Sequence, residues 1–380
     1  MGFNVAGVED KLLREPHWQP EVSQIMRIVR ISLLFLSFSC FVSLLASSQA
    51  AKPGTKPVNF VNKIAFLKGG EIWIADQGGE GKTQVTTTSG KVEDFMFSAD
   101  LNYLAYSKIL KYVDEPGLFE EGEPVPKRAV CSIVVMDLRY QKVVREIEPQ
   151  DNWIYLARWL PEGRLLCYES SGFDVAAFFE FDAINGTKKE VDPHKANQLW
   201  EADFSPDGSL MLYVDDSGLG AGYHMNLHWV DLKSQDDKIL LSHKTIYDPK
   251  LSNDKKNVAF IEVGGEKGES FDSLWAYNIL KGELKKYYTE PAKAKSAGER
   301  SVSWSPDSRY ISTFLAPEAL VFAVENSSIV HKIRGREFHW AGEKRILCAS
   351  GADVYMYDLD TRTKQLLLKE TSKPTFLSKQ

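Results

Sequence analysis

Cysteine is scarce in this chain, with four residues in 380: Cys40, Cys131, Cys167 and Cys348. None stands in a Cys-x-x-Cys pair, so a cysteine-based structural zinc site is excluded. Histidine is equally thin. One close pair exists, His224 and His228, in a stretch that reads as loop running into strand, so the four-residue spacing does not put both on one helical face. If any metal were held, His224, His228 and His339 would be the candidates; the expectation is none, and no motif calls for a cofactor. Gly-x-Ser-x-Gly occurs nowhere, which excludes a nucleophile elbow. Gly78-Gly79-Glu80-Gly81-Lys82-Thr83 has Asp76 where a phosphate-binding loop needs glycine, and predicts a hairpin turn. No block of Lys or Arg is present, and the net charge is -6. Sequence-independent nucleic-acid binding is thereby disfavoured, since it needs clustered cations to displace counterions.

Long apolar runs are also missing, with one exception. Ile31 to Leu45 is a 15-residue apolar stretch, shorter than the ~20 residues of a spanning helix. The basic run Met26-Arg27-Ile28-Val29-Arg30 precedes it and Ser48-Gln49-Ala50 follows, so residues 26–50 are expected to be a secretory signal peptide. Residues 1–25 form a polar extension, or Met26 is the true start; 51–62 read as a linker and 63–380 as the folded domain. The location expected is periplasmic or secreted, with membrane contact only through an uncleaved leader. Removing residues 1–50 takes away four bases (Lys11, Arg14, Arg27, Arg30) and four acids (Glu9, Asp10, Glu15, Glu21), leaving the charge at -6. The three remaining cysteines lie in apolar strands and are expected to be buried thiols.

What the chain does have is a unit that returns. An aromatic or apolar anchor, a tight polar turn and an apolar strand recur: Phe97-Ser98-Ala99-Asp100 before Leu104, Trp159-Leu160-Pro161-Glu162-Gly163 before Leu165, and Phe204-Ser205-Pro206-Asp207-Gly208 before Leu210. Leu251-Ser252-Asn253-Asp254, Trp304-Ser305-Pro306-Asp307-Ser308 and Trp340-Ala341-Gly342-Glu343 continue the series. The steps of 62, 45, 47, 53 and 36 residues between anchors suit a propeller blade carrying insertions of different length. Proline presets the turn, and Asp or Gly tolerates the dihedrals that follow. A third strand and a Lys- and Glu-rich outer strand complete each unit. The anchor aromatics are expected to pack between neighbouring blades.

The first unit lacks its innermost strand, and Pro374-Thr375-Phe376-Leu377 at the other end resembles Asp94-Phe95-Met96-Phe97. The C-terminus should therefore close the ring, leaving no unpaired edge. The expected fold is all-β: a β-propeller of seven blades, with six as the alternative.

The Trp-Ser-Pro-Asp-Ser run at 304, with its variants at 204 and 159, resembles the WD-like repeat of the TolB-type propellers and of prolyl-oligopeptidase-type propellers. TolB-type proteins are periplasmic and bind other proteins, so the resemblance implies a non-enzymatic interaction scaffold. The separate α/β domain of that family has no counterpart here. Oligogalacturonate lyases also resemble this repeat family and use a metal-bearing propeller, which makes a metal-dependent polysaccharide lyase the rival expectation.

Two sets of candidate residues follow. Arg158, Asp203, Lys250, Ser303 and His339 each precede an anchor and should recur around the central channel, as a polar network locking the blades or as ligands. Insertions after the second strands fall at one end of the ring and concentrate recognition potential there. Glu120, Glu121, Glu123, Asp215, Asp216, Tyr223 and Lys267 are the candidates on that face. They are expected to meet a protein partner in the cell envelope, the acidic blade-two insertion facing a basic surface, with the chain itself a monomer.

Overall fold

A computed structural model describes residues 59–114, 127–150, 153–170, 175–191, 199–215, 225–243, 245–264, 271–290, 301–315 and 318–377. They form seven antiparallel blades. Blade one holds β1 (Lys63–Lys68), β2 (Glu71–Asp76) and β3 (Thr83–Gln84); blade two holds β4 (Val92–Phe97), β5 (Tyr103–Asp114), β6 (Lys127–Asp137) and β7 (Lys142–Ile147). Blade three follows with β8 (Trp153–Leu160), β9 (Arg164–Ser170), β10 (Val175–Asp182) and β11 (Lys188–Val191), and blade four with β12 (Leu199–Phe204), β13 (Leu210–Asp215), β14 (Met225–Asp231) and β15 (Asp236–His243). Blade five comprises β16 (Tyr247–Leu251), β17 (Asn257–Gly264), β18 (Phe271–Asn278) and β19 (Glu283–Thr289). Blade six comprises β20 (Ser301–Trp304), β21 (Tyr310–Leu315), β22 (Glu318–Ala323) and β23 (Ile329–Arg334). Blade seven runs through β24 (Arg336–Trp340), β25 (Arg345–Ser350), β26 (Asp353–Asp358) and β27 (Thr363–Leu368), and β28 (Ser372–Leu377) returns to blade one. There β28 pairs antiparallel with β1, Lys63 opposite Leu377 and Ile64 opposite Phe376, closing the ring as the sequence led us to expect.

The second and third strands read as near-continuous apolar runs because both of their faces are covered. Side chains alternate across a strand. In β5, Leu104 and Tyr106 pack toward blade one with Ile72 and Ile74, while Tyr103 and Ala105 pack toward blade three with Trp159 and Leu165. Each fully buried aliphatic or aromatic side chain is worth about 1.5–3 kcal/mol. The core is thus a set of layers between blades. Cys131, Cys167 and Cys348 lie in these layers as buried free thiols, and burial pushes Cys348 up to about 11.

The recurring turn is built around its serine as much as around Pro and Asp. Ser205 Oγ donates to Asp207 Oδ1 at 2.7 Å and accepts the Leu210 N–H at 2.9 Å, while the Ser205 N–H bonds the Leu210 carbonyl at 2.9 Å. The same arrangement recurs at Ser98, Ser252 and Ser305. The next position adopts the left-handed region in each copy: Leu101 (φ 57°), Gly208 (φ 67°), Lys255 (φ 60°) and Ser308 (φ 59°). Only at 208 is the residue glycine, and there Leu160 from blade three packs so closely that a Cβ would lie 2.6 Å from its methyl.

One expectation needs correcting. The blade-two insertion, Lys108 to Ala129, reads as loop in the sequence, but the strands of the blade extend into both of its ends, to Asp114 and from Lys127. β5 and β6 stay paired from Ile109 opposite Cys131 to Asp114 opposite Lys127, beyond the reach of β4 and β7. A two-stranded arm therefore projects from blade two. Ile109, Tyr112 and Val113 on one strand and Val130 on the other are β-branched or aromatic residues that favour it.

Candidate functional site

Inner strands of neighbouring blades do not pair with one another, although Val175 of β10 and Leu199 of β12 join blades three and four, so N–H groups on their facing edges need partners from elsewhere. Acidic side chains supply them. Glu201 Oε2 accepts the Asp248 N–H; Asp203 Oδ2 accepts the Leu251 N–H at 2.8 Å; and Asp248 Oδ2 accepts the Val302 N–H at 2.5 Å. Each bond crosses from one blade to the next. The cations stand among them: Lys250 Nζ lies 2.7 Å from Asp248 Oδ1, and Arg158 Nη1 lies 3.8 Å from Asp203 Oδ1 while donating to the Phe204 carbonyl.

These groups line a central cavity of about 730 Å³ that contains Arg158, Glu201, Asp203, Asp248, Lys250 and His339. Four of the five residues expected around the channel thus share one space. Ser303 lines a smaller cavity of about 220 Å³ together with His339. Glu201 and Asp248 escaped the sequence reading, although they stand two residues before Asp203 and Lys250. On a strand that spacing places Glu201 on the face of Asp203, whereas Asp248 reaches the cavity from a bulge between Tyr247 and Lys250. Burial, reinforced by the nearby Asp248 carboxylate, pushes Glu201 up to about 7. Burial alone would lower Lys250, but the surrounding Asp248 and Asp203 carboxylates outweigh it and raise the ammonium instead. The channel wall is therefore a charge-balanced network whose carboxylates are largely occupied in fastening blades.

The anchor tryptophans do the same from the other side. Trp159 Nε1 donates to the Met96 carbonyl at 2.9 Å, Trp304 Nε1 to the Lys250 carbonyl at 2.8 Å, and Trp340 Nε1 to Ser312 Oγ at 3.1 Å. Every one of these acceptors lies in the preceding blade.

On the insertion-bearing end, the arm of blade two presents Leu110 (41% exposed) and Tyr112 (60% exposed). Opposite Val113 on the arm, Arg128 lies over the rings of Trp153 and Tyr155 in blade three, 4.9 and 5.4 Å from their centroids, so the arm leans on that blade. Of the residues expected on this face, Glu120, Glu121, Glu123, Asp216, Tyr223 and Lys267 lie outside the described residues, as does His224. Asp215 does not stand in a loop: it ends β13, half-buried, with its carboxylate 3.2 Å from His228 Nε2. His228 is buried in β14, whereas His339 is exposed on β24 at the channel. The two are not brought together.

No protein-family model matches the chain, and no curated protein does. Solved structures do resemble it. An oligogalacturonate lyase in complex with manganese superposes with a TM-score of 0.54 at 12% identity, covering 78% of this chain and 83% of that one. An oligogalacturonate lyase from Vibrio parahaemolyticus gives 0.52 at 10% identity over 78% and 84%. TolB from Acinetobacter baumannii gives 0.46 at 17% identity over 85% and 68%. At such identities the likeness is one of fold, and in fold this chain is a seven-bladed β-propeller similar to the oligogalacturonate lyases.

Proposed function

We propose that this propeller is a non-catalytic interaction scaffold, acting outside the cytoplasm, that engages a protein partner through its insertion-bearing end. The observation that carries the reading is the blade-two arm, which holds exposed Leu110 and Tyr112 on paired strands that extend past β4 and β7. An exposed aromatic beside an exposed aliphatic side chain on a two-stranded ribbon suits an interface core. The sequence between Asp114 and Lys127 carries Glu115, Glu120, Glu121 and Glu123, a charge that favours a basic partner surface. By contrast the channel carboxylates are spent on inter-blade bonds. A lyase reading would draw on histidines converging at the channel, and His339 is the one described histidine that lines it.

Replacing residues 110–129 by an Asn-Gly turn tests the reading. The ring should stay folded while crosslinked partner from envelope extract disappears; unchanged recovery would refute it. Incubation of the intact protein with oligogalacturonate should give no unsaturated product.

A further inference from the structure

Blade four carries a cluster that neither the channel network nor the arm uses. His228 is buried on β14 at 9% exposure, and its ring stacks on Tyr213 with centroids 4.4 Å apart and planes 14° from parallel. His228 Nδ1 lies 2.9 Å from Asp237 Oδ1, and Asp237 Oδ2 accepts the Tyr213 hydroxyl at 2.6 Å. Asp237 has only acceptors to offer, so the proton of that bond sits on Nδ1, and in the neutral ring Nε2 is then an acceptor. Nε2 stands 3.2 Å from Asp215 Oδ2 but makes no hydrogen bond with it, and Asp215 Oδ1 is likewise buried without a hydrogen-bond partner.

Two buried acceptors side by side call for something positive between them. We propose that His228 Nε2 and Asp215 bind a divalent transition-metal ion of the zinc class. Zinc bonds of about 2.0–2.2 Å to nitrogen and carboxylate oxygen at a tetrahedral angle put those atoms about 3.4 Å apart, close to the separation found. The partner on the far side of the ring fits as well. A ligating imidazole commonly donates its other N–H to a carboxylate, which fixes the tautomer and ring orientation, and Asp237, itself held by Tyr213, stands in that place. Imidazole with carboxylate suits zinc better than the oxygen-only preference of magnesium or calcium. Among the described residues no three His, Cys, Asp or Glu side chains converge on one point, and His228 and Asp215 are the two protein ligands they offer. Side-chain exposures of 24% at Asp215 and 19% at Asp237 give an ion a path in.

The test is titration of chelator-treated full-length protein with Zn²⁺ by calorimetry, and with Co²⁺ by visible absorption. Wild type should bind one ion and give the ligand-field bands of nitrogen and oxygen donors. His228→Gln should abolish binding, Asp215→Asn should weaken it at least tenfold, and Asp237→Asn should weaken it about 10–100-fold as loss of an orienting carboxylate does. His339→Ala should bind as wild type. Because Asp215→Asn and Asp237→Asn retain the shape of the site, they report on binding even if His228→Gln unfolds. Absence of binding by wild type, or binding by Asp215→Asn with wild-type affinity, would overturn the proposal.

Discussion

The indole N–H of Trp304 reaches across the seam between blades five and six and donates to the main-chain carbonyl of Lys250 at 2.8 Å. The ring itself is buried against Ala259, Ile261 and Ile311. Trp304→Phe keeps most of the packing and loses the bond, leaving a carbonyl short of its partner. We predict a loss of about 1–2 kcal/mol, and for Trp304→Ala about 3–5 kcal/mol, read from urea unfolding. Equal losses in the two variants would show that the hydrogen bond contributes nothing.

The buried serine of the repeated turn gives a second prediction. Ser205→Ala and Ser305→Ala each strip the partner from a main-chain N–H, that of Leu210 or Tyr310, inside a nearly solvent-free turn. Each should cost about 1–3 kcal/mol. Ser209→Ala, an exposed hydroxyl in the same turn, should cost under about 1 kcal/mol. Thermal unfolding of the three variants makes the comparison.

Backbone strain in the outer turns can be relieved. Between third and fourth strands the left-handed position is glycine in blades three and five (Gly186, φ 75°; Gly282, φ 67°) but Gln141 (φ 49°) in blade two and Arg362 (φ 56°) in blade seven. L-residues pay about 1 kcal/mol or more there. Arg362→Gly should therefore raise stability by up to about 1 kcal/mol, and a decrease would contradict the assigned turn geometry.

Much of this architecture was legible in the sequence because it is local or repeated. The Trp-Ser-Pro-Asp anchors gave the blade boundaries, and the likeness of Phe376-Leu377 to Met96-Phe97 gave the closure. The serine's part went unread, since its work is a bond to a residue five positions on rather than a turn preference of its own. The arm of blade two is hidden in the sequence because Pro116, Pro124 and Pro126 dominate the segment, while its strand-favouring residues, Ile109, Tyr112, Val113 and Val130, lie at the two ends. Glu201 is within reach, since the two-residue period of a strand points to it from Asp203, whereas Asp248 is not, because it stands at a bulge between Tyr247 and Lys250 with φ 47°. The pairing of His228 with Asp237 is not either, because it depends on the register of β14 with β15 and on the ring's tilt between them.

Glu201 makes stability depend on pH in an uncommon direction. Its carboxyl is raised to about 7 by burial first and then by Asp248, so the folded state holds a proton that the unfolded chain releases near the usual carboxylate value of about 4.3. The folded state is therefore favoured most at low pH by this group, and that advantage is lost as pH rises through about 4 to 7. Glu201→Gln keeps an acceptor for the Asp248 N–H while removing the ionisation. It should stabilise by about 1–2 kcal/mol at pH 8 and by little at pH 5. A gain independent of pH would show that Glu201 is not the group responsible.

The account's central claim is that recognition sits on the arm end of the ring rather than on its opposite, short-turn end. Site-specific photocrosslinking tests it most directly, with a photoreactive residue placed at Tyr112 on the arm or at Tyr140 in the turn between β6 and β7, both exposed, at 60% and 67%. Position 112 should yield a discrete protein adduct that is lost on Leu110→Ser, and position 140 none; an adduct from 140 with none from 112 would contradict it.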